Sequence, residues 1–280
     1  MQSPGDVDYE RSGHGYSTHR RADPRIASLI QSALGPARVV LNVGAGAGSY
    51  EPQDRYVIAI EPSATMRRQR PAWLPPAIDA RAEQLPLDDQ SVDASMVTLS
   101  VHQWHDRAAG LRELLRVTRG PIVIMTFEGE ALDRFWIAHY APDMIEHERR
   151  RYPPIPELAR LLSPPGRRAT VRTVPIPADC TDGFTEAYFA RPERFLEPGV
   201  TTAQSVWTFV PPESLERFRA RLAGDLASGA WDAQFGDHRR MATFDGALRL
   251  VVSELVPAGT IASEPSTSSL DDPGAAHHLS

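Results

Sequence analysis

Lysine is absent: all 30 basic residues of this 280-residue chain are arginine. The absence excludes a Walker A lysine under a nucleoside triphosphate and a lysine Schiff base to pyridoxal phosphate. Cysteine is nearly absent too. Cys180 stands alone, so neither an intrachain disulfide nor a cysteine-built zinc site can form. A reducing compartment, the cytoplasm, is the expected location. No window of about 18 apolar residues occurs, so no membrane span is expected. The leading stretch "MQSPGDVDYERSGHGYSTHRR" lacks the apolar core of a signal peptide. Basic charge is not in excess either: the net charge of −6 provides no general field for nucleic acid. The local groups Arg67, Arg68, Arg70 and Arg149, Arg150, Arg151 read as solvated helix faces. What remains, 41% hydrophobic and 24% charged residues, is the composition of a globular domain.

The apolar runs are short and bounded. "ADPRIASLIQSALG" has Asp23 as a cap, Pro24 at the first helical position and Gly35 as a stop. Its Ile26, Ile30 and Leu34 share one face. Strands are expected in "ARVVLNV", "YVIAIEPS", "AIDARAEQLP", "SVDASMVTLSV" and "PIVIMTF", with a helix in "DRAAGLRELLRVTRG". Most of these strand runs are continuously apolar rather than alternating, the pattern of a parallel sheet covered on both faces. Alternating strands and helices imply a doubly wound α/β fold. After Phe127 the chain turns helical and aromatic, and "RRATVRTVPIP" and "GALRLVVSEL" read as two further strands. Such insertions belong over the carboxyl ends of the strands, where open α/β sheets bind ligands.

"VVLNVGAGAGSYEP" stops a buried strand at Gly44, Gly46 and Gly48. A dinucleotide site wants G-x-G-x-x-G, followed by a helix whose N-terminus holds the pyrophosphate. Here the spacing is G-x-G-x-G, Ser49 takes the third glycine's place, and Pro52 interrupts the short segment that follows. Glu61 ends the next strand, where a carboxylate accepts hydrogen bonds from two ribose hydroxyls. NAD and S-adenosylmethionine share that demand; the glycine spacing favours the methyl donor.

Together with "VIAIEPS", "ARAEQLPLDDQSVDASMVTLSVHQWHD" and "LRELLRVTRGPIVIMTF", this stretch resembles the successive motifs of class I S-adenosylmethionine-dependent methyltransferases, closest to the small-molecule branch called type 11. The resemblance covers residues 14 to 130 and implies a mostly parallel, seven-stranded Rossmann-like sheet whose last strand is antiparallel, with helical insertions as a lid. The polar, glycine-containing start (1–13) reads as flexible, and one domain (14–256) follows it, with its donor core at about 36–130. Acceptor or lid insertions fall at about 130–166 and 178–245, and a disordered tail at 257–280. The donor would rest on Gly44, Ala45, Gly46 and Gly48, with Glu61 at the ribose and Pro62 and Met66 beside the adenine. Ala82 and Glu83 would lie at the adenine edge, and Ser100 and Val101 under the methionine. Tyr16 and Arg20 would reach the donor from the N-terminal side, and Trp104 would wall the pocket. One departure stands out: Asn42 occupies the position where the resemblance expects an aspartate near the donor's ammonium group.

Methyl transfer from a sulfonium needs positioning, water exclusion and, for some acceptors, a base. His102 and His105 in "SVHQWHD" are the candidate bases; a structural histidine is the alternative for each. Asp106 orients a histidine or caps the helix that follows. A metal held by these three has no closing ligand, so none is expected. Trp136, His139, Tyr140, Phe184, Tyr188, Phe189 and Trp207 line a cavity for a partly apolar small molecule or pack the core. The expected activity is methyl transfer to a small organic acceptor, most readily at oxygen, by a monomer or homodimer with no nucleic-acid or membrane partner. The rivals are an NAD(P)-dependent oxidoreductase and a non-catalytic binding protein of degenerate methyltransferase fold.

Overall fold

The structure, a computed structural model, describes residues 20–256. Tyr16, the leading segment 1–13 and the tail 257–280 lie outside the described residues. The strands are β1 (Val39–Val43), β2 (Tyr56–Ile60), β3 (Ala94–Thr98), β4 (Ile122–Phe127), β5 (Arg167–Thr173), β6 (Ile176–Pro177), β7 (Thr243–Phe244) and β8 (Leu248–Leu255). Six of them form one sheet in the order β2-β1-β3-β4-β8-β5. The first four pair in parallel, and β8 runs antiparallel to both β4 and β5. β6 and β7 form a separate antiparallel pair.

The strand positions follow from their apolar runs. All six residues of β4 are buried, as a central strand covered on both faces requires. β5 lies at the edge, and its arginines keep that edge charged and protected from pairing with another chain.

The expected seventh strand does not form. "AIDARAEQLP" contributes one parallel bridge, Ile60 to Ile78, beside β2. Pro75 and Pro76 precede the bridge without N–H donors, and the chain then turns at Arg81–Gln84. The segment leaves the edge early and runs on as a wall of the site.

Helix α1 (Pro24–Ala33) begins as its sequence dictates: the Asp23 carboxylate accepts the Arg25 N–H at 3.0 Å, and Ile26, Ile30 and Leu34 are buried. A short α2 (Ala64–Arg68) follows β2, capped by Ser63. In α3 (Arg107–Val117), Asp106 acts as the cap, accepting the Ala109 N–H at 2.9 Å.

After β4 the prolines divide the helical stretch into α4 (Ile137–Tyr140), α5 (Pro142–Arg151) and α6 (Ile155–Leu161). Short α7 (Pro198–Thr202), long α8 (Pro212–Ser228) and α9 (Ala230–Phe235) complete the insertion. Its centre is aromatic. Trp136 meets Phe195 and Trp231 edge-on at ring separations of 5.5 Å and donates its indole N–H to the Phe189 carbonyl at 2.9 Å. Trp136, Tyr140, Tyr188, Phe189 and Trp207 therefore pack the core.

Candidate active site

A cavity of about 320 Å³ opens at the carboxyl ends of β1, β2 and β3. Of the residues expected at a donor, Arg20, Gly44, Ala45, Gly46, Glu61, Pro62, Met66, Ala82, Glu83, Ser100 and Trp104 line it, as does His105. Two others among the described residues do not. Gly48 packs against Leu74 and Arg70, and Val101 is a core residue. His102 faces a second cavity.

Gly44 is required by its surroundings. Its φ is +70°, and a Cβ there would overlap Ser100 Oγ and lie 2.6 Å from Ser100 Cβ. Ser100 in turn donates to the Val43 carbonyl at 3.0 Å, tying the tips of β1 and β3 together. Glu61 braces the same turn: its two oxygens accept the Gly46 and Ser63 N–H groups, each at 2.8 Å. Each carboxylate oxygen retains a second lone pair, which is what a ribose diol uses. Burial pushes the Glu61 carboxyl above its ordinary range, opposed by these two backbone bonds and by Arg67 and Arg70.

Asn42 is fully buried and does not line the cavity. Its amide donates to Glu51 Oε1 at 2.9 Å, and Arg70 grips both Glu51 oxygens at 3.0 and 2.9 Å. The carboxylate of this site thus sits at Glu51, already matched by one buried cation. A neutral donor at 42 completes the pair where an aspartate would add a surplus charge.

Arg20 borders both cavities. Its guanidinium meets Asp182 at 2.6 Å, and the Tyr50 hydroxyl donates to the other oxygen of Asp182 at 2.8 Å. Leu99, at the end of β3, also borders both and holds φ at +53°. A non-glycine residue in that region marks local strain where the two cavities join.

The second cavity is smaller, about 60 Å³, and shares Arg20, Leu99 and Gln103 with the first. Its walls come from the end of β4, from the turn ending at Phe135, from α5 with its C-cap, and from the 184–205 segment: Phe127, Phe135, Met144, Glu148, Tyr152, Phe184, Glu186 and Gln204. The Phe127 ring lies 5.3 Å from Tyr152 and 5.6 Å from Phe184, and Tyr152 meets His102 edge-on at 4.8 Å. Sequence reasoning marks Phe184 as a candidate but misses Glu148, Tyr152, Glu186 and Gln204. Nothing local marks these four, since folding gathers them from separate elements.

The cavity's titratable groups are held in uncharged or paired forms. Burial drives the His102 imidazole well below its ordinary range, helped by the nearby Arg151, Arg20 and Arg107 cations. Glu148 is raised by burial, while Arg151 at 3.3 Å and the Tyr152 hydroxyl stabilise its charge. Glu186, only 1% exposed, has no ion pair among the described residues. Both its oxygens accept the single Ala247 N–H, at 3.0 and 2.9 Å, and burial pushes its carboxyl up to about 7.

A glycine turn braced by an acidic strand end, opening beside a second, largely apolar cavity, defines a nucleotide-using α/β enzyme site. A family model described as a methyltransferase domain matches residues 41–124. An uncharacterized methyltransferase of Mycobacterium tuberculosis is 39% identical over 89 residues, which is 30% of this chain and 36% of that protein. The chain therefore spans about a third of the length of the curated relatives it matches. A crystal structure of an Anabaena variabilis protein, described as a methyltransferase from an antibiotic biosynthesis pathway, is 30% identical with a TM-score of 0.80. That match covers 85% of this chain and 99% of the other. The plantazolicin methyltransferase BpumL, solved with S-adenosylhomocysteine, shares the fold at 11% identity and a TM-score of 0.51, over 91% of this chain and 93% of its own. The chain belongs to the class I S-adenosylmethionine-dependent methyltransferases, with S-adenosylmethionine as cofactor.

Proposed function

We propose that this chain methylates a hydroxyl oxygen of a small, partly apolar organic acceptor. The observation that carries the reading is the junction of the two cavities at Arg20, Leu99 and Gln103. S-adenosylmethionine would lie in the first cavity and supply a methyl group already activated on a sulfonium. The geometry fits that group: Gly44 and Gly46 leave the backbone bare, Glu61 offers two lone pairs, and Trp104 and Met66 provide apolar walls. The acceptor would then reach into the second cavity, where the rings of Phe127, Phe135, Phe184 and Tyr152 give apolar cover that limits water at the displacement.

In this reading S-adenosylmethionine would supply the methyl group to the acceptor oxygen and leave as S-adenosylhomocysteine, and the hydroxyl proton would pass to Glu186. An unpaired carboxyl titrating at about 7 is a stronger base for that role than His102, whose charged form burial disfavours. His105 is exposed at the donor cavity and does not face the acceptor cavity.

Parallel calorimetric titrations with S-adenosylmethionine, S-adenosylhomocysteine and NADH test the donor half of the proposal. Micromolar binding of the two sulfur nucleotides and none of NADH is expected; binding of NADH alone would sink it. The acceptor half is tested by screening phenols and enols for S-adenosylhomocysteine formation, with Glu186→Gln losing turnover while retaining donor binding.

A further inference from the structure

Two residues that line the second cavity each carry a buried nitrogen with no hydrogen-bond partner among the described residues: Gln204 Nε2 and His102 Nδ1. Both residues are more than nine-tenths buried, Gln204 at 5% and His102 at 6% exposure. Burying a donor unsatisfied is costly, so such atoms mark places where a ligand supplies the partner.

The orientation of each group follows from its neighbours. The Trp207 indole N–H meets Gln204 Oε1 at 3.1 Å. An indole nitrogen can only donate, so the amide oxygen must face Trp207 and the amide nitrogen must point away from it. For His102, the Gln103 amide nitrogen lies 3.4 Å from Nε2. An amide nitrogen also only donates, so Nε2 accepts and the neutral ring carries its proton on Nδ1. Each side chain is thus a donor whose intended acceptor the described residues do not provide. Both residues line the same cavity of about 60 Å³.

We propose that Gln204 and His102 form a two-donor clamp for a carbonyl oxygen of the acceptor, which makes the acceptor a hydroxy-carbonyl compound with a planar apolar body. The inference rests on the proposed acceptor role of the second cavity. Its charges agree with a neutral oxygen: Arg151 is matched by Glu148 and Arg20 by Asp182, so no surplus cation calls for a carboxylate or phosphate. Its size requires that only the carbonyl-bearing end lodge there, with the rest reaching toward the junction at Leu99. Phe127 and Phe184, edge to face at 5.6 Å, form one aromatic wall against which a flat body can lie.

The test is a ligand-observed NMR titration of the protein with 2-hydroxyacetophenone and with phenol, in the presence and absence of S-adenosylhomocysteine. The carbonyl compound is expected to bind about tenfold or more tightly than phenol, the effect of one or two buried hydrogen bonds. Gln204→Glu keeps the oxygen that accepts from Trp207 and replaces the donor nitrogen with an acceptor oxygen. It should erase or reverse the preference, and His102→Phe should reduce it. Donor titration and a thermal melt establish that each variant is folded. Equal binding of the two probes, binding of neither, or a preference surviving in both variants would overturn the clamp. If S-adenosylhomocysteine fails to bind wild-type protein, the donor reading falls, and the comparison made without it still decides the clamp.

Discussion

Asn42→Asp swaps one atom and should be among the most damaging conservative changes in this chain. The new carboxylate would stand 2.9 Å from Glu51. Two unit charges at that distance repel by about 6 kcal/mol at an effective dielectric of about 20. Arg70, bonded to both Glu51 oxygens, attracts the newcomer and offsets part of this. A net cost of about 3 kcal/mol corresponds to raising the pKa of the introduced carboxyl by about 2 units in the folded state. The sign then dictates the pH dependence. Below the unfolded value of about 3.9 the carboxyl is protonated in both states and can donate to Glu51 as the amide does. Between there and about 6 the folded state alone keeps its proton, and the penalty grows by about 1.4 kcal/mol per pH unit. Urea unfolding of variant and wild type should therefore differ by about 1.5 kcal/mol at pH 5 and by about 3 kcal/mol at pH 7.5. Adding Glu51→Gln, which again leaves Arg70 facing one carboxylate, should recover more than half of the loss. A variant as stable as wild type at pH 7.5, or a loss independent of pH, would refute this account of why an asparagine stands at 42.

Glu186→Gln should behave in the opposite sense for stability. With a folded value near 7 against an ordinary 4.5, the ionised carboxyl weakens the fold above that window, so the glutamine variant should be more stable at pH 8 by about 2–3 kcal/mol. The advantage should shrink toward pH 5, and a thermal melt series checks it. In the wild type, turnover should fall as pH drops below about 7, because the base must be unprotonated; a flat profile would remove Glu186 from that role. Gly44→Ala forces a side chain into the left-handed region, at about 1–2 kcal/mol, and against Ser100. Donor affinity should fall at least about tenfold, measured by calorimetry. Because burial raises the Glu61 carboxyl, donor affinity should begin to fall with decreasing pH earlier than an ordinary glutamate would allow, and Glu61→Gln should remove that dependence. Trp136→Ala should cost about 3–5 kcal/mol by emptying the aromatic core, with donor affinity of the folded fraction unchanged.

The lining of the first cavity was legible because its residues are local in sequence. Strand β1, the glycine turn and Glu61 lie within a short stretch, and the buried runs that place them are continuous along the chain. The same locality made the Asp106 cap and the face of α1 readable. The sequence also showed that Asn42 departs from the expected pattern, but not why: Glu51 follows in the same stretch, and only the fold turns its carboxylate back onto Asn42 and Arg70. Where only local propensity was available it misled: "AIDARAEQLP" is apolar enough for a strand, yet Pro75 and Pro76 leave it one bridge. The second cavity was decided by tertiary structure alone. His102 follows β3, Tyr152 ends α5, and Glu186 and Gln204 lie on turns of the insertion; no periodicity links them. Whether an aromatic in that insertion is wall or core depends on its neighbours in space, which is why Phe184 reaches the cavity and Trp136 does not. Burial does the rest: it drives a histidine down, a glutamate up to about 7 and leaves two nitrogen donors waiting. None of these properties belongs to a residue until the fold has taken it out of water.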